Sequence, residues 1–360
     1  MQTICKEDKN IHWLLDDIEH LYSQLSSKNY NKPLIPKKYH SSFKKLCSIF
    51  KDNSDYDVPE TFYDKKIEPL NLPNYDTNNI IICFSGGKDS IALTLKCLKK
   101  GYNVYLYTLK HINASLSDES KWANEVAEKL NVPIFIDDLK LKGHNDWMEH
   151  PMKNMIIANG ALNYGIKNNI GTRIWFGNYT TSYLEDIDFA RCAGDCMDMW
   201  ESYNEIINNI IPGFHIECDL ETMGETLEII TPQKDILDLS LSCLCRHSLR
   251  QYRWNWVKET FDVELPKNRC GSCYKCCVEY IYMADHNLIK FSKDYYKYCI
   301  NQLYRVYLNE KGLAFSVRTV WETFMFYDME DSKIYEDLSK ARLFIRSVKW
   351  ENEPIRRTYK

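Results

Sequence analysis

Two short stretches carry the residue types and spacing that could do chemistry. The first is Ser85-Gly86-Gly87-Lys88-Asp89-Ser90, which follows the apolar run Ile80-Ile81-Ile82-Cys83-Phe84. Gly86 and Gly87 remove Cβ atoms where the backbone must turn sharply and let a ligand come close. Asp89 and Ser90 stand in the first turn of the helix that follows. The opening N–H groups of a helix have no intrahelical partner, and the dipole stands behind them. Such a turn suits an anion, a phosphate or pyrophosphate above all. Lys88 either adds a positive charge to it or points to solvent. The spacing is neither the GxxxxGK[ST] of P-loop NTPases nor the GxGxxG of dinucleotide folds.

The second stretch is Cys270-Gly271-Ser272-Cys273-Tyr274-Lys275-Cys276-Cys277, a CxxCxxC pattern with one further cysteine. Thiolates three residues apart converge on one ion from a turn, and Gly271 permits the tight knuckle this needs. A closed structural zinc site requires a fourth thiolate, and Cys243 or Cys245 upstream can supply it. Such a site would staple residues 243–276 together and contribute folding energy directly. A redox dithiol or an iron–sulfur cluster would use the same residues.

The rest of the composition narrows the setting. The chain has 360 residues, 44% of them apolar, with a formal net charge of −4, so no strongly basic nucleic-acid binder is indicated. Its first ten residues are polar, without a signal-peptide core, and no run approaches the roughly 18 apolar residues of a membrane span. With 14 cysteines and no secretory signal, the expectation is a soluble, cytoplasmic protein with thiols or a bound metal in place of disulfides.

Positioning the two stretches requires a scaffold, and the pattern from residue 80 onward supplies one. Strands are expected at 80–84, 103–109, 133–139 and 173–178. Helices are expected at about 88–100, 117–130, 153–168 and 197–211. Strands alternating with helices of this length imply βαβ units and an α/β fold with a doubly wound parallel sheet. The right-handed crossover rule then places the Ser85–Ser90 turn at the carboxyl edge of the sheet, where ligands bind. Outside this core, residues 1–76 read as a mainly helical extension, with helical spacing in 11–25 and 40–50, and residues 70–79 read as the linker. The expected order is this extension, an α/β nucleotide-binding domain at 77–242, a cysteine-rich segment at 243–280 and a second helical extension at 281–360. The last contains three candidate helices at 295–308, 315–329 and 334–348.

Together, the two stretches resemble those of the PP-loop ATP pyrophosphatases, and within them the 7-cyano-7-deazaguanine synthase (QueC) family over roughly residues 80–280. Tyr107 to His111, Pro151-Met152-Lys153-Asn154, Phe176 to Tyr179, Gly194-Asp195-Cys196 and Leu241-Ser242-Cys243-Leu244 match the family's remaining motifs in order. The resemblance implies a Rossmann-like PP-loop fold with a structural zinc held by Cys243, Cys270, Cys273 and Cys276. It implies ATP and Mg²⁺ as well, with Ser85, Gly86, Gly87, Asp89 and Ser90 on the phosphates and Lys88, Asp89 and Ser90 closest to the chemistry. His111, Lys153 and Asn154 would line the nucleotide pocket, and Asn178 and Asp195 the substrate pocket. The family adenylates a 7-carboxy-7-deazaguanine and converts it with ammonia to an amide and then a nitrile.

The chain departs from the family in ways that bear on the acceptor. Lys153 replaces an arginine, losing bidentate hydrogen bonding. The interval between Cys243 and Cys270 holds an inserted basic and aromatic segment, and the two extensions have no counterpart in a minimal synthase. Three other readings therefore stand beside the small-molecule synthase: the same adenylating chemistry with a protein or nucleic-acid acceptor docked on the extensions, a sulfur-transferring or sulfonucleotide-reducing relative, and an inactive nucleotide-binding module. Oligomerisation is left open.

Overall fold

The computed structural model describes residues 35–36, 41–42, 62–63, 69–110, 119–137, 153–179, 197–221, 223–240, 243, 247–285 and 287–308. The helices expected at 11–25, 315–329 and 334–348 lie outside the described residues, as does all of 40–50 except a helical pair at 41–42.

At the centre is a five-stranded sheet built from β1 (Asn79–Cys83), β2 (Asn103–Leu109), β3 (Ile134–Asp137), β4 (Ile174–Tyr179) and β5 (Glu217–Glu221). The strand order is β3-β2-β1-β4-β5, and β1 pairs in parallel with both β2 and β4, as β2 does with β3. This is the order of a doubly wound α/β fold, reversing direction between β1 and β4. Ile80, Ile81 and Ile82 are fully buried, as are Leu106 and Ile174. A central parallel strand is covered on both faces and so reads as an unbroken apolar run.

The intervening helices are α1 (Lys88–Lys99), α2 (Glu119–Leu130) and α3 (Lys153–Lys167), followed by α4 (Met197–Asn208). The first three end in one way. Gly101, Asn131 and Asn169 adopt positive φ. The residue after each donates its N–H five positions back, from Tyr102 to Cys97, Val132 to Ala127 and Ile170 to Gly165. These Schellman caps satisfy the last carbonyls and turn the chain back toward its next strand. Within the sheet unit α3 packs on β1 and β2. Gly165 lets it come close: a Cβ there would run into Ile81 Cδ1 on β1 as well as the Gly171 carbonyl oxygen.

The described residues fall into two compact units. The first contains β1 to β4 with α2, α3 and α4; the second contains Gly86–Ala92 and the described residues from Leu220 onward. The second unit holds α5 (Met223–Ile230), α6 (Lys234–Leu239), α7 (His247–Phe261), α8 (Tyr274–Asp285) and α9 (Lys293–Leu308). Of these, only α9 coincides with an expected helix, 295–308. Helix α8 packs against α5 and α9, burying Tyr280, Tyr295 and Tyr296 completely. Tyr282 donates to Glu228 Oε1 over 2.6 Å, tying α8 to α5. No helix among the described residues is long and apolar enough to cross a membrane.

Candidate active site and cysteine centre

Ser85 to Ser90 leave β1 at its carboxyl end, where the strand order reverses and ligands of open α/β sheets bind. Gly86 takes φ of 70°, a conformation costly to any residue with a Cβ. The turn closes into α1 through two bonds to the Gly87 carbonyl, one from the Ile91 N–H at 3.1 Å and one from the Ser90 hydroxyl at 3.0 Å. Lys88 is 2% exposed, and its Nζ stands 2.8 Å from Asp89 Oδ1. The Lys88 ammonium is thus held at the turn, and the solvent-pointing alternative falls away.

The remaining nucleotide-site candidates are placed unevenly. Asn154 is the second residue of α3 and partly buried, and Lys153 is the first. Asn178 lies near the end of β4. Cys83 is in register with Phe176, so Asn178 is two residues beyond the pair, as Ser85 is on β1. His111 and Asp195 lie outside the described residues, together with Cys192, Cys196 and Cys245.

The cysteine centre is assembled from two segments of the second unit. The sulfur atoms of Cys243, Cys270, Cys273 and Cys276 all lie within 4.8 Å of one another. Cys243 to Cys273 is 3.9 Å, Cys270 to Cys276 is 4.0 Å, and Cys273 to Cys276 is 3.4 Å. A tetrahedral ion with sulfur ligands at about 2.3 Å sets its thiolates about 3.8 Å apart, and these separations bracket that value. Disulfide partners would stand at about 2 Å. An iron–sulfur cluster spreads its thiolates over several irons and needs them farther apart. The donor set therefore suits one soft tetrahedral ion.

Local backbone geometry supports the same centre. Gly271 takes φ of 67°, and a Cβ there would stand 2.8 Å from Leu265 Cδ1. The Cys273 and Ser272 N–H groups donate to Cys270 Sγ at 3.2 and 3.4 Å, the outer-shell bonding that orients a metal-binding thiolate. Hydrogen bonds from Cys243, then Cys273 and Cys276, hold the Cys270 thiol well below its ordinary range. Cys277 is fully buried and stands outside the cluster.

Sequence reasoning missed the polar framework of this centre. Arg269 is 2% exposed and donates from Nε to Glu279 Oε2 over 3.0 Å. Its Nη1 donates to the Leu237 and Ser240 carbonyls at 3.0 and 2.6 Å, and its Nη2 to Ser240 Oγ at 3.0 Å. Arg269 thereby clamps the same two segments that the cysteines join. Lys275 was missed as well, although its place between Cys273 and Cys276 is visible in the motif. Partly exposed at the start of α8, it lies within electrostatic reach of Lys88, Asp89, Cys273 and Glu279. Burial and then the like charge of Lys88 push its ammonium pKa down.

A separate cavity of about 560 Å³ is lined by Thr172, Arg173, Gly213, Phe214, His215, Glu217 and Cys218, where β4 begins. It lies toward the amino end of the strand whose carboxyl end carries Asn178, and none of the expected site residues lines it.

No protein-family model and no curated protein matches the chain. Among solved structures, one similar chain is the NMN synthetase from Francisella tularensis. It is 13% identical, with 78% of this chain and 97% of that one covered and a TM-score of 0.28. The class assignment therefore rests on this chain's own features: an α/β protein with a doubly wound parallel sheet, a glycine turn at its switch point and a four-cysteine centre.

Proposed function

We propose that the protein is an ATP-dependent ligase of the PP-loop pyrophosphatase type, acting on a carboxylate such as 7-carboxy-7-deazaguanine. The observation that carries the reading is the Ser85–Ser90 turn: it follows a buried parallel strand at the switch point, bends at a positive-φ glycine and opens a helix beside a buried lysine. That arrangement suits the polyphosphate of ATP. Bound there, ATP offers its α-phosphorus to a carboxylate oxygen. The new O–P bond forms as the bond to pyrophosphate breaks, leaving an acyl adenylate. Ammonia then attacks the acyl carbon and expels AMP, giving the amide. A second adenylation, on the amide oxygen, allows loss of AMP and protons to give the nitrile.

Each residue has a physical task in this scheme. Lys88 and the first turn of α1 offset the charge that grows on the departing pyrophosphate. Asp89 is the carboxylate suited to hold Mg²⁺, which supplies further neutralisation of the phosphate oxygens. Lys153, Asn154 and His111 are assigned to the nucleotide pocket, and Asn178 and Asp195 to the acceptor. Zinc on Cys243, Cys270, Cys273 and Cys276 is structural, because four thiolates leave no open position for a substrate. Locking the CxxCxxC thiols in one centre also favours ligation over sulfur transfer, which needs an accessible low-pKa cysteine.

The test is product analysis after incubation with ATP, Mg²⁺, ammonia and 7-carboxy-7-deazaguanine. AMP and pyrophosphate with a mass change to the amide or nitrile are expected. Ser85→Ala combined with Asp89→Ala should abolish ATP turnover with the circular dichroism unchanged. Retained turnover in that variant would overturn the assignment of the loop. AMP without a small-molecule product would move the acceptor to a macromolecule.

A further inference from the structure

We propose that the cavity of about 560 Å³ at the start of β4 binds a purine base, which accepts a hydrogen bond from His215 Nε2 and donates one to Glu217 Oε2. The inference does not depend on the reading of the Ser85–Ser90 turn, and it concerns residues that the proposed reaction does not use.

The argument begins with a side chain held in one orientation. Asn204 of α4 is 9% exposed. Its Oδ1 accepts from the Ile216 N–H at 2.9 Å, which fixes the amide, so its Nδ2 is the group that meets His215 Nδ1 at 3.0 Å. His215 Nδ1 is therefore an acceptor, and the proton of the neutral ring is on Nε2. Asn208 Nδ2 donates to the Phe214 carbonyl at 2.6 Å and holds the same segment to α4. Ile216 is buried, and His215 and Glu217 on either side of it both line the cavity.

Glu217 is held as firmly. Arg173 donates to it from Nε at 3.2 Å and from Nη2 at 3.0 Å, both to Oε1, and a third donor, Nη1, goes to the Thr77 carbonyl. The guanidinium also lies over the Tyr102 and Trp175 rings. Oε2 has no hydrogen-bond partner among the described residues, and neither has His215 Nε2. A solvated surface pair needs no such bracing. A site that must present one donor and one acceptor in fixed places does.

The charges decide what fits. Among the lining residues Arg173 and Glu217 cancel, and His215 is in a neutral tautomer, so no cation is left for a phosphate or carboxylate. A metal ion would need a lone pair on Nε2, which carries a proton here. An ammonium ligand would have to share Glu217 with Arg173 at close range. What remains is a neutral ligand with an acceptor beside an N–H donor. A purine edge has that pattern, as N1 with the 6-amino group in adenine and as O6 with N1–H in guanine. The cavity is of the size that small ligands occupy, and Phe214 gives it an apolar wall. Gly213, at which a Cβ would meet nothing within 4 Å, leaves one side open for a ribose.

The experiment is calorimetric titration of the full chain with adenosine, guanosine and purine riboside, which lacks any exocyclic group on the base. The proteins are wild type, Glu217→Gln, His215→Phe and the exposed control Lys290→Ala. Adenosine or guanosine should bind, the tighter of the two identifying the edge, and purine riboside should bind about tenfold more weakly. Glutamine at 217 gives Arg173 its oxygen and turns an amide N–H toward the ligand, so affinity should fall by about tenfold to a hundredfold. His215→Phe loses one neutral donor and should cost about threefold to tenfold. Lys290→Ala should match wild type. Should Glu217→Gln fail to fold, His215→Phe carries the test. Failure of both nucleosides to bind would overturn the proposal, as would wild-type affinity in either folded variant. Purine riboside binding as tightly as the preferred nucleoside would overturn it too, because the bond to Glu217 would then be absent. A lowered melting temperature with unaltered purine affinity would leave Arg173 and Glu217 as a structural pair only. None of these outcomes bears on the phosphate chemistry assigned to the Ser85–Ser90 turn, so the two readings stand or fall separately.

Discussion

In the sheet unit, Arg173 Nη2 stands 3.0 Å from Glu217 Oε1, with the two side chains 31% and 35% exposed. In the cysteine unit, Arg269 Nε stands 3.0 Å from Glu279 Oε2, with the two side chains 2% and 1% exposed. Equal length conceals different surroundings. The Arg173 pair is screened by water, and the strands beside it are held by buried isoleucines that need no partner. The Arg269 pair lies among backbone carbonyls and the Ser240 hydroxyl, each of which requires a specific neighbour. One unit is held by non-directional burial, which tolerates loss of a contact. The other adds to its apolar core around α8 and α9 a few directional groups, and losing any one leaves another group buried and unsatisfied.

The largest effect that would test this contrast is loss of the proposed zinc centre. Cys273→Ser should remove zinc and lower stability by roughly 5 kcal/mol or more, because structural zinc sites contribute on the order of 10 kcal/mol. Zinc per chain by mass spectrometry and the melting temperature check this directly. If both stay at wild-type values, the cysteines are not a metal centre, and the contrast loses its main support.

Next in size is the buried pair. Arg269→Met leaves Glu279 buried without its cation and should cost about 3–5 kcal/mol. Arg269→Met with Glu279→Leu should cost less than Arg269→Met alone, because the orphaned charge is gone. Denaturant unfolding of these two variants and of Glu279→Leu alone supplies the comparison. A double variant as unstable as the sum of its parts would show that the pair is not coupled, and that Arg269 acts only through its carbonyl contacts.

What could be read from the sequence follows the same division. The strand at 103–109 and the starts of the helices at 88, 153 and 197 were visible because apolar periodicity reports burial against a sheet. The unbroken run at Ile80–Ile82 likewise marked a central strand. The cysteine cluster and the glycine turn were visible because their chemistry is local in sequence. By contrast β5, Glu217–Glu221, carries the acidic and polar residues of an edge strand and shows no β-rich run. Helix α7 buries Arg250 and Val257 while exposing Leu249, Tyr252 and Trp256, which breaks the apolar stripe that marks a helix. Arg269 and Ser240 are joined by tertiary structure alone, and no periodicity encodes such partners.

The smallest expected effect sharpens the comparison most, because it changes burial and leaves residue type and distance nearly constant. Arg173→Met removes the same guanidinium as Arg269→Met, from a pair of the same length. Its Nε also donates to Glu217 Oε1 at 3.2 Å, and its guanidinium lies 5.4 Å from the Tyr102 ring centre and 5.6 Å from that of Trp175. Exposed ion pairs contribute about 0–1 kcal/mol, and an exposed cation–π contact adds about 0.5–1. Methionine keeps part of the apolar contact with those rings, so the expected cost is about 1 kcal/mol, shrinking as salt screens the pair. The Arg269→Met penalty should barely respond to salt. Unfolding both variants at low and at high ionic strength therefore separates the two units without any assumption about function. Equal penalties and equal salt dependence would mean that burial does not distinguish the pairs, and that the cysteine unit is no more dependent on single contacts than the sheet.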